Sequence, residues 1–479
     1  MSTTLRDPLL AAWEHTRAEN RDRAGIFDSK GKVLRTFSEI ETRSNDFARE
    51  LEKSSPGEVF AIQIGNHPDW PSLFLACLRK QLVVVPLELT ISDEQRQRAL
   101  KLCRVALTAT LSSHAKTAGS RGVTLKLFPS GFGGSADEDK SIDWQDQPPS
   151  LLKLTSGTTA APRAVRFQSE QLLADCENIC ETMGISQHDL NFGVIPISHS
   201  YGFSNLLTPL LVRGVALALS SDRMPRAIIE GLAATRATIF PGMPVFYQSF
   251  CELTDTPSSP DLRLCISAGA PLLPKTARVF AEKFGCEIHS FYGASECGGI
   301  CYGRAAQPLI GFVGEPIVGV KIDQIAPEQS ASLVRVRSQA VADGYFPQAD
   351  EDKLGNGVFL PDDLLEKTPA GYRLVGRTSD LINVAGKKVH PAEVEAEILR
   401  CPGVHGAIVF GRESKRRNQE IVACVVANGL GERELLAHCR ARLSGWQVPR
   451  RIYFVEVIPT NERGKISRRD LGRRYQHIS

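Results

Sequence analysis

The chain has 479 residues, of which 42% are hydrophobic, and its formal net charge is +3. This length predicts about two to four domains with large apolar cores. The nearly balanced charge argues against nucleic acid or an anionic membrane as a partner. The longest apolar segment, 206–219, contains Arg213 and is too short to span a bilayer.

Twelve cysteines are scattered along the chain without the spacing of a metal-binding motif. They predict free, buried thiols in a reducing compartment, and zinc binding is the less favoured alternative. The N-terminal stretch MSTTLRDPLLAAWEH has no apolar run of the kind found in signal peptides. We therefore expect a cytoplasmic protein.

The first 150 residues alternate between helical and strand patterns. A helix is predicted to begin near Phe37, with Ser38 as its N-cap. Two strands, Val59–Ile64 and Leu82–Leu87, flank an amphipathic helix at Trp70–Lys80. Strands that alternate with helices predict a mainly parallel sheet with helices on its faces.

The segment Leu151–Phe167 places a hydroxyl-rich loop before a returning strand at Ala164–Phe167. Hydroxyl and backbone N–H groups are donors, and Gly157 lets a phosphate approach the backbone closely. The loop differs from a P-loop of the GKS/T type, because Pro162 and Arg163 lead into a strand and not a helix. From the residues alone, a phosphate-binding loop and a Ser/Thr-rich surface turn are equal alternatives.

A second series of strands and helices follows this loop. Strands are predicted at Phe192–Ile197, which ends in the polar segment 198–202, and at Val215–Leu219 and Leu264–Ser267. A further strand, Glu287–Tyr292, ends in the motif YGASE. Ligands of α/β sheets collect at the carboxyl ends of strands, so these polar segments are candidates for a binding site.

Residues 310–375 contain many Gly and Pro residues between short strand patterns, which predicts a β-rich subdomain. A compact α+β unit follows, with Pro391 at the start of a predicted helix. The predicted fold class is therefore α/β, with a large N-terminal domain of βαβ-type sheets plus the β-rich subdomain, and then a small α+β C-terminal domain. We place the two domains at 1–376 and 377–479.

Several motifs in order along the chain resemble those of the AMP-forming adenylating enzymes. This superfamily includes acyl-CoA synthetases, nonribosomal peptide adenylation domains and beetle luciferases, and the chain looks like an acyl-CoA synthetase-like member. The matching segments are LRKQLVVVPLEL (78–89), TSGTTAAPRAV (155–165), SHSYG (198–202), SAGAPL (267–272), YGASE (292–296), DDL (362–364), GRTSDLINVAGKKVHPAEVE (376–395) and PTNERGKISRR (459–469). Each match is weak alone, but the ordered set is specific.

Four positions depart from the pattern of that family. Ala160 replaces the second loop glycine, and Arg163 replaces the loop lysine. Arginine keeps the positive charge, although its planar guanidinium binds phosphate differently. Asp362 stands where a glycine usually precedes the ribose-binding aspartate, and Ser379 stands at the usual hinge position.

The resemblance implies that the chain binds ATP with Mg²⁺. Asp363 would accept hydrogen bonds from the ribose, and Glu296 with Thr158 would hold Mg²⁺. Lys465 would reach the α-phosphate and the acid, and His199 would lie between the acid pocket and the phosphates. The implied contacts with the nucleotide and the thiol donor are Thr155, Ser156, Gly157, Thr158, Thr159, Arg163, Gly269, Ala270, Pro271, Tyr292, Gly293, Ser295, Asp363, Arg377, Gly386 and Lys388.

Each candidate catalytic residue also has a more ordinary interpretation. Glu296 is typical of an exposed helix N-terminus, and His199 of a structural histidine. Lys465 alone is a solvated lysine. Only the order of the motifs favours the interpretation in which Lys465, His199 and Glu296 are catalytic.

The same resemblance implies an acid pocket lined by Tyr201, Phe203, Phe240, Met243 and Phe291. Acetate-specific relatives carry a tryptophan at the position of Gly293, so this glycine indicates an acid larger than acetate. The pocket motif has no aspartate that would pair with the ammonium group of an amino acid. A fatty or aromatic acid is therefore favoured.

Similar enzymes join a carboxylate to the α-phosphate of ATP, release pyrophosphate and pass the acyl group to a thiol. The resemblance thus predicts an ATP-dependent, AMP-forming acid–thiol ligase with CoA as the acceptor. The alternatives are a ligase that loads the phosphopantetheine of an acyl carrier protein and a non-catalytic acyl- or nucleotide-binding protein. In relatives the C-terminal domain is mobile and rotates about the hinge, here near Ser379. Gly386 and Lys388 would then serve the thiol step, and Lys465 the first step.

Overall fold

The computed structural model describes residues 7–111, 142–145, 147–155, 163–304, 309–414, 418–458 and 468–476. The chain forms two compact units. The first unit comprises Met1–Pro308, Val313–Ile322 and Arg335–Leu360, and the second comprises Leu309–Phe312, Asp323–Val334 and Pro361–Ser479. The domain boundary predicted at 376/377 falls inside the second unit and stays a prediction.

The helices and strands alternate along the first part of the chain. Up to residue 110 they are α1 (Pro8–Asn20), β1 (Ala24–Asp28), β2 (Val33–Thr36), α2 (Phe37–Glu50), β3 (Val59–Gln63), α3 (Trp70–Arg79), β4 (Val83–Pro86), α4 (Asp93–Leu102) and β5 (Leu107–Thr110). Between residues 151 and 303 they are β6 (Leu151–Leu154), β7 (Ala164–Phe167), α5 (Ser169–Met183), β8 (Leu190–Gly193), α6 (Ser200–Gly202), a π-helical turn (Phe203–Leu207), α7 (Thr208–Arg213), β9 (Ala216–Leu219), α8 (Pro225–Thr235), β10 (Ile239–Gly242), α9 (Pro244–Glu252), β11 (Leu264–Ser267), α10 (Pro274–Phe284), β12 (Ile288–Ala294) and β13 (Gly298–Gly303).

Strands dominate the next part, and helices return towards the C-terminus. The elements are β14 (Phe312–Pro316), β15 (Val320–Gln324), β16 (Ala331–Ser338), β17 (Gly344–Phe346), β18 (Leu354–Gly355), β19 (Val358–Phe359), β20 (Asp363–Thr368), β21 (Gly371–Arg377), a 3₁₀ turn (Thr378–Asp380), β22 (Ile382–Val384), β23 (Lys387–Val389), α11 (Pro391–Leu399), β24 (Val404–Ser414), β25 (Asn418–Ala427), α12 (Glu432–Arg442), β26 (Arg451–Phe454) and α13 (Arg468–Arg474). The predicted fold class is confirmed: a large N-terminal α/β part is followed by a small α+β part.

One sheet of the first unit has the strand order β17–β7–β6–β4–β3–β5. The strands from β5 to β6 run parallel, whereas β7 is antiparallel to β6 and β17 is antiparallel to β7. The residues of β3 and β4 are all buried, as expected for parallel strands with both faces covered. The hydroxyl-rich segment begins at the carboxyl end of β6.

Within the first unit, another sheet contains the consecutive strands β2–β1–β9–β8–β10–β11–β12–β13. Neighbouring strands from β1 to β12 run parallel, and β13 is antiparallel to β12. Phe192, Phe240, Tyr247 and Phe250 fill the core against one face. The carboxyl ends of β8, β11 and β12 share one edge, so SHSYG, SAGAPL and YGASE follow the same edge of this sheet.

In the second unit, β20 and β21 form an antiparallel pair. A further sheet has the strand order β23–β22–β25–β24, and β26 runs parallel to β25. Val394 of α11 and Leu435 of α12 belong to one apolar core, and Leu471 of α13 packs in another core with Phe410 and Tyr475. Pro391 begins α11, as predicted.

Two observations bear on the environment of the chain. No helix in the described ranges combines the length and the apolar character needed to cross a membrane. All twelve cysteines are free thiols, and all except Cys251 are buried.

The start of α2 differs from the prediction, because Thr36 and not Ser38 is the N-cap. Thr36 Oγ1 accepts a hydrogen bond from Glu39 N at 3.2 Å, and Glu39 Oε2 accepts one from Thr36 N at 2.7 Å. This reciprocal pair is a capping box. The prediction was wrong because β2 runs directly into the helix: Thr36 is still extended while Phe37 is already helical.

Thr36→Ala should lower the free energy of unfolding by about 1 kcal/mol, the usual cost of removing an N-cap hydroxyl. Ser38→Ala in the same helical turn is the matched control and should change this free energy by less than about 0.5 kcal/mol. Urea unfolding followed by circular dichroism measures both variants. Equal effects of the two substitutions would contradict the assignment of the cap.

Candidate functional site

The two ends of the hydroxyl-rich loop are joined by hydrogen bonds. Thr155 N and Thr155 Oγ1 each donate to the carbonyl oxygen of Arg163 at 3.0 Å. These bonds continue the β6–β7 hairpin, in which Leu154 pairs with Ala164. Four predicted phosphate contacts lie outside the described residues: Ser156, Gly157, Thr158 and Thr159. Ala160, which departs from the family pattern, lies outside them as well.

Arg163 is connected to Glu296 through Tyr345. The guanidinium carbon of Arg163 lies 3.4 Å from the centre of the Tyr345 ring, and Arg163 Nη1 forms an ion pair with Asp350 Oδ2 at 3.3 Å. The Tyr345 hydroxyl donates a hydrogen bond to Glu296 Oε1 at 3.2 Å. Burial, and then the charge of Glu296, raise the pKa of Tyr345, so the phenol stays protonated as a donor. Two predicted site residues from distant parts of the chain are thus brought together.

The strand before the histidine motif is shorter than predicted. β8 ends at Gly193 and not at Ile197. Asn66 holds the following segment in a turn: its Nδ2 donates to the carbonyl oxygens of Gly193 and Ile195 at 3.1 and 3.0 Å, and its Oδ1 accepts from Ile197 N at 2.9 Å. These side-chain bonds replace strand pairing and present His199 just before α6.

His199 is paired with a carboxylate that was not among the predicted site residues, Glu88 in the segment 78–89. His199 Nε2 lies 2.5 Å from Glu88 Oε1, and the two side chains are 29% and 12% exposed. Ser200 Oγ donates to Ser295 Oγ at 3.1 Å. Segments that follow β4, β8 and β12 therefore meet at one place, with His199 and YGASE as neighbours.

Two of the predicted pocket residues form an aromatic pair. The ring centres of Tyr201 and Phe291 are 6.0 Å apart, and the Tyr201 hydroxyl donates to a backbone carbonyl of β11 at 3.0 Å. Met243 is partly buried and packs against the core of the same sheet. Phe203 and Phe240 are 1% and 0% exposed and lie within the apolar interior. Whether these five residues line an acid pocket stays a prediction.

The turn after β11 is exposed at Gly269, Ala270 and Pro271, three of the predicted nucleotide contacts. Gly269 has a φ of +88°, which favours glycine. Tyr292 on the neighbouring strand β12 is 8% exposed. The turn thus leaves backbone uncovered beside a buried tyrosine.

Gly293 has a structural reason to be glycine. A Cβ at this position would lie 2.5 Å from the carbonyl oxygen of Gly298 on β13. The pairing of β12 with β13 shifts register between Tyr292 and Gly293, which brings the two backbones close. The close approach of the two strands is enough to explain a glycine at position 293. Gly293 is therefore weaker evidence for a substrate acid larger than acetate than its match to the family motif suggested.

In the second unit, Asp363 and Arg377 face each other on β20 and β21. Arg377 Nε donates to Asp363 Oδ1 at 2.7 Å, and the Asp363 side chain is 9% exposed. Gly386 and Lys388 are exposed in the β22–β23 hairpin, and Gly386 has a φ of +88°. Lys465 lies outside the described residues.

Three side chains at this site, Glu88, Tyr345 and Asp350, were not among the predicted residues. Glu88 had a signal in the sequence, because it is an acid just after a continuous apolar strand. No sequence pattern indicated Tyr345 or Asp350, because their positions depend on the pairing of β17 with the distant β7.

The described motif residues of the first unit lie at or just beyond the carboxyl ends of strands, where α/β sheets bind their ligands. Residues 13–346 match the family described as AMP-binding enzyme, and residues 393–465 match the AMP-binding enzyme C-terminal domain. The chain belongs to the AMP-binding enzyme family.

The similar proteins extend over almost the whole chain. A feruloyl-CoA synthase from an Amycolatopsis species is 27% identical, over 98% of this chain and 100% of the relative. A benzoate–CoA ligase from Thauera aromatica is 25% identical, over 90% of this chain and 89% of the relative. The solved structure of ATP-bound MatB from Rhodopseudomonas palustris has a TM-score of 0.83 and 21% identity, covering 98% of this chain and 99% of that one. The structural similarity to MatB supports the assigned fold.

Gly293→Ala should lower the free energy of unfolding by about 1–3 kcal/mol, because the added methyl would press on the backbone of β13. Gly445→Ala is the control, since a Cβ at Gly445 would meet no atom within 4 Å. Urea unfolding of both variants checks the difference. A Gly293→Ala protein as stable as the wild type would contradict the close approach of the two strands.

Proposed function

We propose that the chain is an ATP-dependent, AMP-forming ligase that activates a fatty or aromatic acid and transfers the acyl group to CoA. The observation that carries this proposal is the convergence of Arg163 and Glu296 on Tyr345 at the end of the hydroxyl-rich loop. Phosphates need positive charge, and a nucleotide-bound cation needs oxygen ligands, so this pair suits Mg²⁺–ATP. Relatives named feruloyl-CoA synthase and benzoate–CoA ligase support CoA and the acid class.

In the proposed first step, a carboxylate oxygen of the acid attacks the α-phosphorus of ATP. An O–P bond forms, and the bond from the α-phosphorus to the leaving pyrophosphate breaks. The acid is already ionised at neutral pH, so no general base is needed. The requirement is neutralisation of two anions as they approach. Arg163 and Lys465 would supply positive charge, and His199, held by Glu88, would donate a hydrogen bond.

The carboxylate of Glu296 fits a cation that arrives with the nucleotide. Within the described ranges, no group of three His, Cys, Asp or Glu side chains could hold a metal ion by itself. Mg²⁺ does not need such a group, because phosphate oxygens and waters complete its coordination around one or two carboxylates. Glu296, with Thr158, would hold the ion, which would neutralise charge on the phosphates when bound.

In the proposed second step, the sulfur of CoA attacks the carbonyl carbon of the acyl-adenylate. A C–S bond forms, AMP leaves with the electron pair of the broken C–O bond, and the thiol proton is released to solvent. The exposed hairpin with Gly386 and Lys388 is proposed for this step, since an ammonium group suits the phosphates of CoA.

A cytoplasmic location is also proposed. All twelve cysteines are free thiols, and free thiols are typical of reducing compartments. Cell fractionation with an antibody to the chain tests this location.

The function is tested with pyrophosphate release across a panel of acids, from acetate to long-chain fatty acids, benzoate and ferulate. We expect release with a fatty or aromatic acid and none with acetate, and the product with CoA should be the thioester. A parallel arm replaces CoA with an acyl carrier protein that bears phosphopantetheine. Thioester on the carrier alone would favour the carrier-loading alternative, and no release with any acid would overturn the ligase.

Arg163→Ala should raise the KM for ATP by about tenfold, as expected for loss of a charged hydrogen bond to phosphate, and should change the KM for the acid much less. Asp350→Asn is the control, because it removes the ion-pair partner and leaves the guanidinium on Tyr345. Steady-state kinetics with each substrate varied in turn measure both constants. Equal changes in the two KM values would show that Arg163 does not serve the nucleotide.

Lys465→Ala should lower the rate of acyl-adenylate formation by about 10²–10³, as expected for loss of a charge directed at the reacting phosphate. The same variant, given synthetic acyl-adenylate and CoA, should form thioester at close to the wild-type rate. Rapid-quench measurement of each half-reaction tests this separation. Equal loss of both half-reactions in a folded protein would mean that Lys465 is not specific to the first step.

A further inference from the structure

A lysine is buried in the strand that leads to the hydroxyl-rich loop. Lys153 on β6 is 5% exposed, and its Nζ lies 4.4 and 5.3 Å from the ring centres of Phe167 and Phe203. In the part of the chain that the structure describes, this Nζ has no hydrogen-bond partner. A charged group in such surroundings is costly unless an opposite charge compensates it.

A buried carboxylate lies in the same surroundings, because Asp175 on α5 is 3% exposed and is bonded to Ser204, the residue after Phe203. Asp175 Oδ2 accepts a hydrogen bond from Ser204 Oγ at 2.6 Å, and Oδ1 accepts one from Gly299 N at 2.9 Å. Burial lowers the pKa of Lys153 and raises the pKa of Asp175, while attraction between the two groups opposes both shifts. Asp175 is the strongest attraction on Lys153, and Glu296 adds a weaker one.

Asp175 also supports the turn that follows Glu296. A Cβ on Gly298 would overlap with the Asp175 carboxylate, and Gly298 has a φ of +69°. The hydrogen bond from Gly299 N holds the next residue of the turn to the same carboxylate. Asp175 therefore restrains the backbone of the turn just after Glu296.

We propose that Lys153 and Asp175 are a positioning pair that holds the Glu296 turn against β6, so that binding of Mg²⁺–ATP depends on both residues. The inference rests on the proposed function, because it assumes that Glu296 serves the nucleotide. Neither residue is given a catalytic role, since the pair acts through the backbone of the turn. The bond to Ser204 links the same carboxylate to the π-helical turn Phe203–Leu207, which directly follows α6.

The single variants remove one charge each and keep most of the side-chain volume. In Lys153→Met, Asp175 loses its compensating cation and takes up a proton, so its bond to Gly299 weakens. In Asp175→Asn, Lys153 loses the strongest of its attractive charges. Calorimetry without any acid should show that the Kd for Mg²⁺–ATP rises at least about tenfold in both variants.

The double variant, Lys153→Met with Asp175→Asn, removes both charges together. Its amide oxygen can still accept the hydrogen bond from Gly299 N, so the Kd should return to within about threefold of the wild type. Asp189→Asn is the matched control. Asp189 is 6% exposed and paired with Arg263 at the amino end of β8, so this change should lower Tm and leave the Kd unchanged.

A second readout separates positioning from general damage. Lys153→Met should convert supplied acyl-adenylate and CoA to thioester at the wild-type rate, because the pyrophosphate-bearing nucleotide is no longer required. A merely structural defect would slow both half-reactions together.

Single variants that bind Mg²⁺–ATP like the wild type, or a double variant that binds no better than they do, would overturn the inference. If the single variants do not fold, the inference requires that a folded double variant binds Mg²⁺–ATP with a Kd close to that of the wild type. If the wild type binds Mg²⁺–ATP but releases no pyrophosphate with any acid, the proposed ligase function is wrong. The role of Lys153 and Asp175 in nucleotide binding can then still be tested by calorimetry. A wild type that does not bind Mg²⁺–ATP overturns both.

Discussion

The hydrogen bond from Tyr345 to Glu296 is the interaction on which the site depends. A neutral phenol orients a carboxylate without cancelling its charge, so Glu296 can still attract a cation. The same ring supports the guanidinium of Arg163. One side chain therefore sets the separation between a positive and a negative group that a nucleotide with its metal would contact together.

This interaction requires the two-sheet architecture of the first unit. Tyr345 is brought to the loop by the pairing of β17 with β7, and Glu296 lies just beyond β12 of the other sheet. The two sheets thus supply opposite charges from separate strands. Such a site cannot form until both sheets are in place, so its geometry depends on long-range folding and not on any local motif.

Local patterns predicted much of the fold. Apolar runs bounded by polar residues gave the correct ends of β7 (Ala164–Phe167) and β11 (Leu264–Ser267), and Pro391 marked the start of α11. The errors came from tertiary context. The N-cap of α2 depends on how β2 enters the helix, and the end of β8 depends on Asn66, which is remote in sequence.

The candidate site could be predicted as a set of motifs but not as a set of contacts. The motif order placed His199 and Glu296 at strand ends, and their catalytic roles stay predictions. Glu88 was visible as an acid just after an apolar strand, but its pairing with His199 was not, and Tyr345 reaches Glu296 only through the pairing of distant strands. Lys153 was not among the predicted site residues, and its burial beside two aromatic rings appears only in the packed structure.

The stacking of Arg163 on Tyr345 bears on the entropy of the phosphate binding that we propose for this residue. A long arginine side chain normally loses much rotamer freedom when it is fixed in a complex. In this protein the guanidinium is already restrained by the ring and by Asp350 before any anion arrives. The ordering therefore accompanies folding and does not weaken binding. A lysine, with a compact ammonium on a flexible stem, would not be pre-organised in the same way.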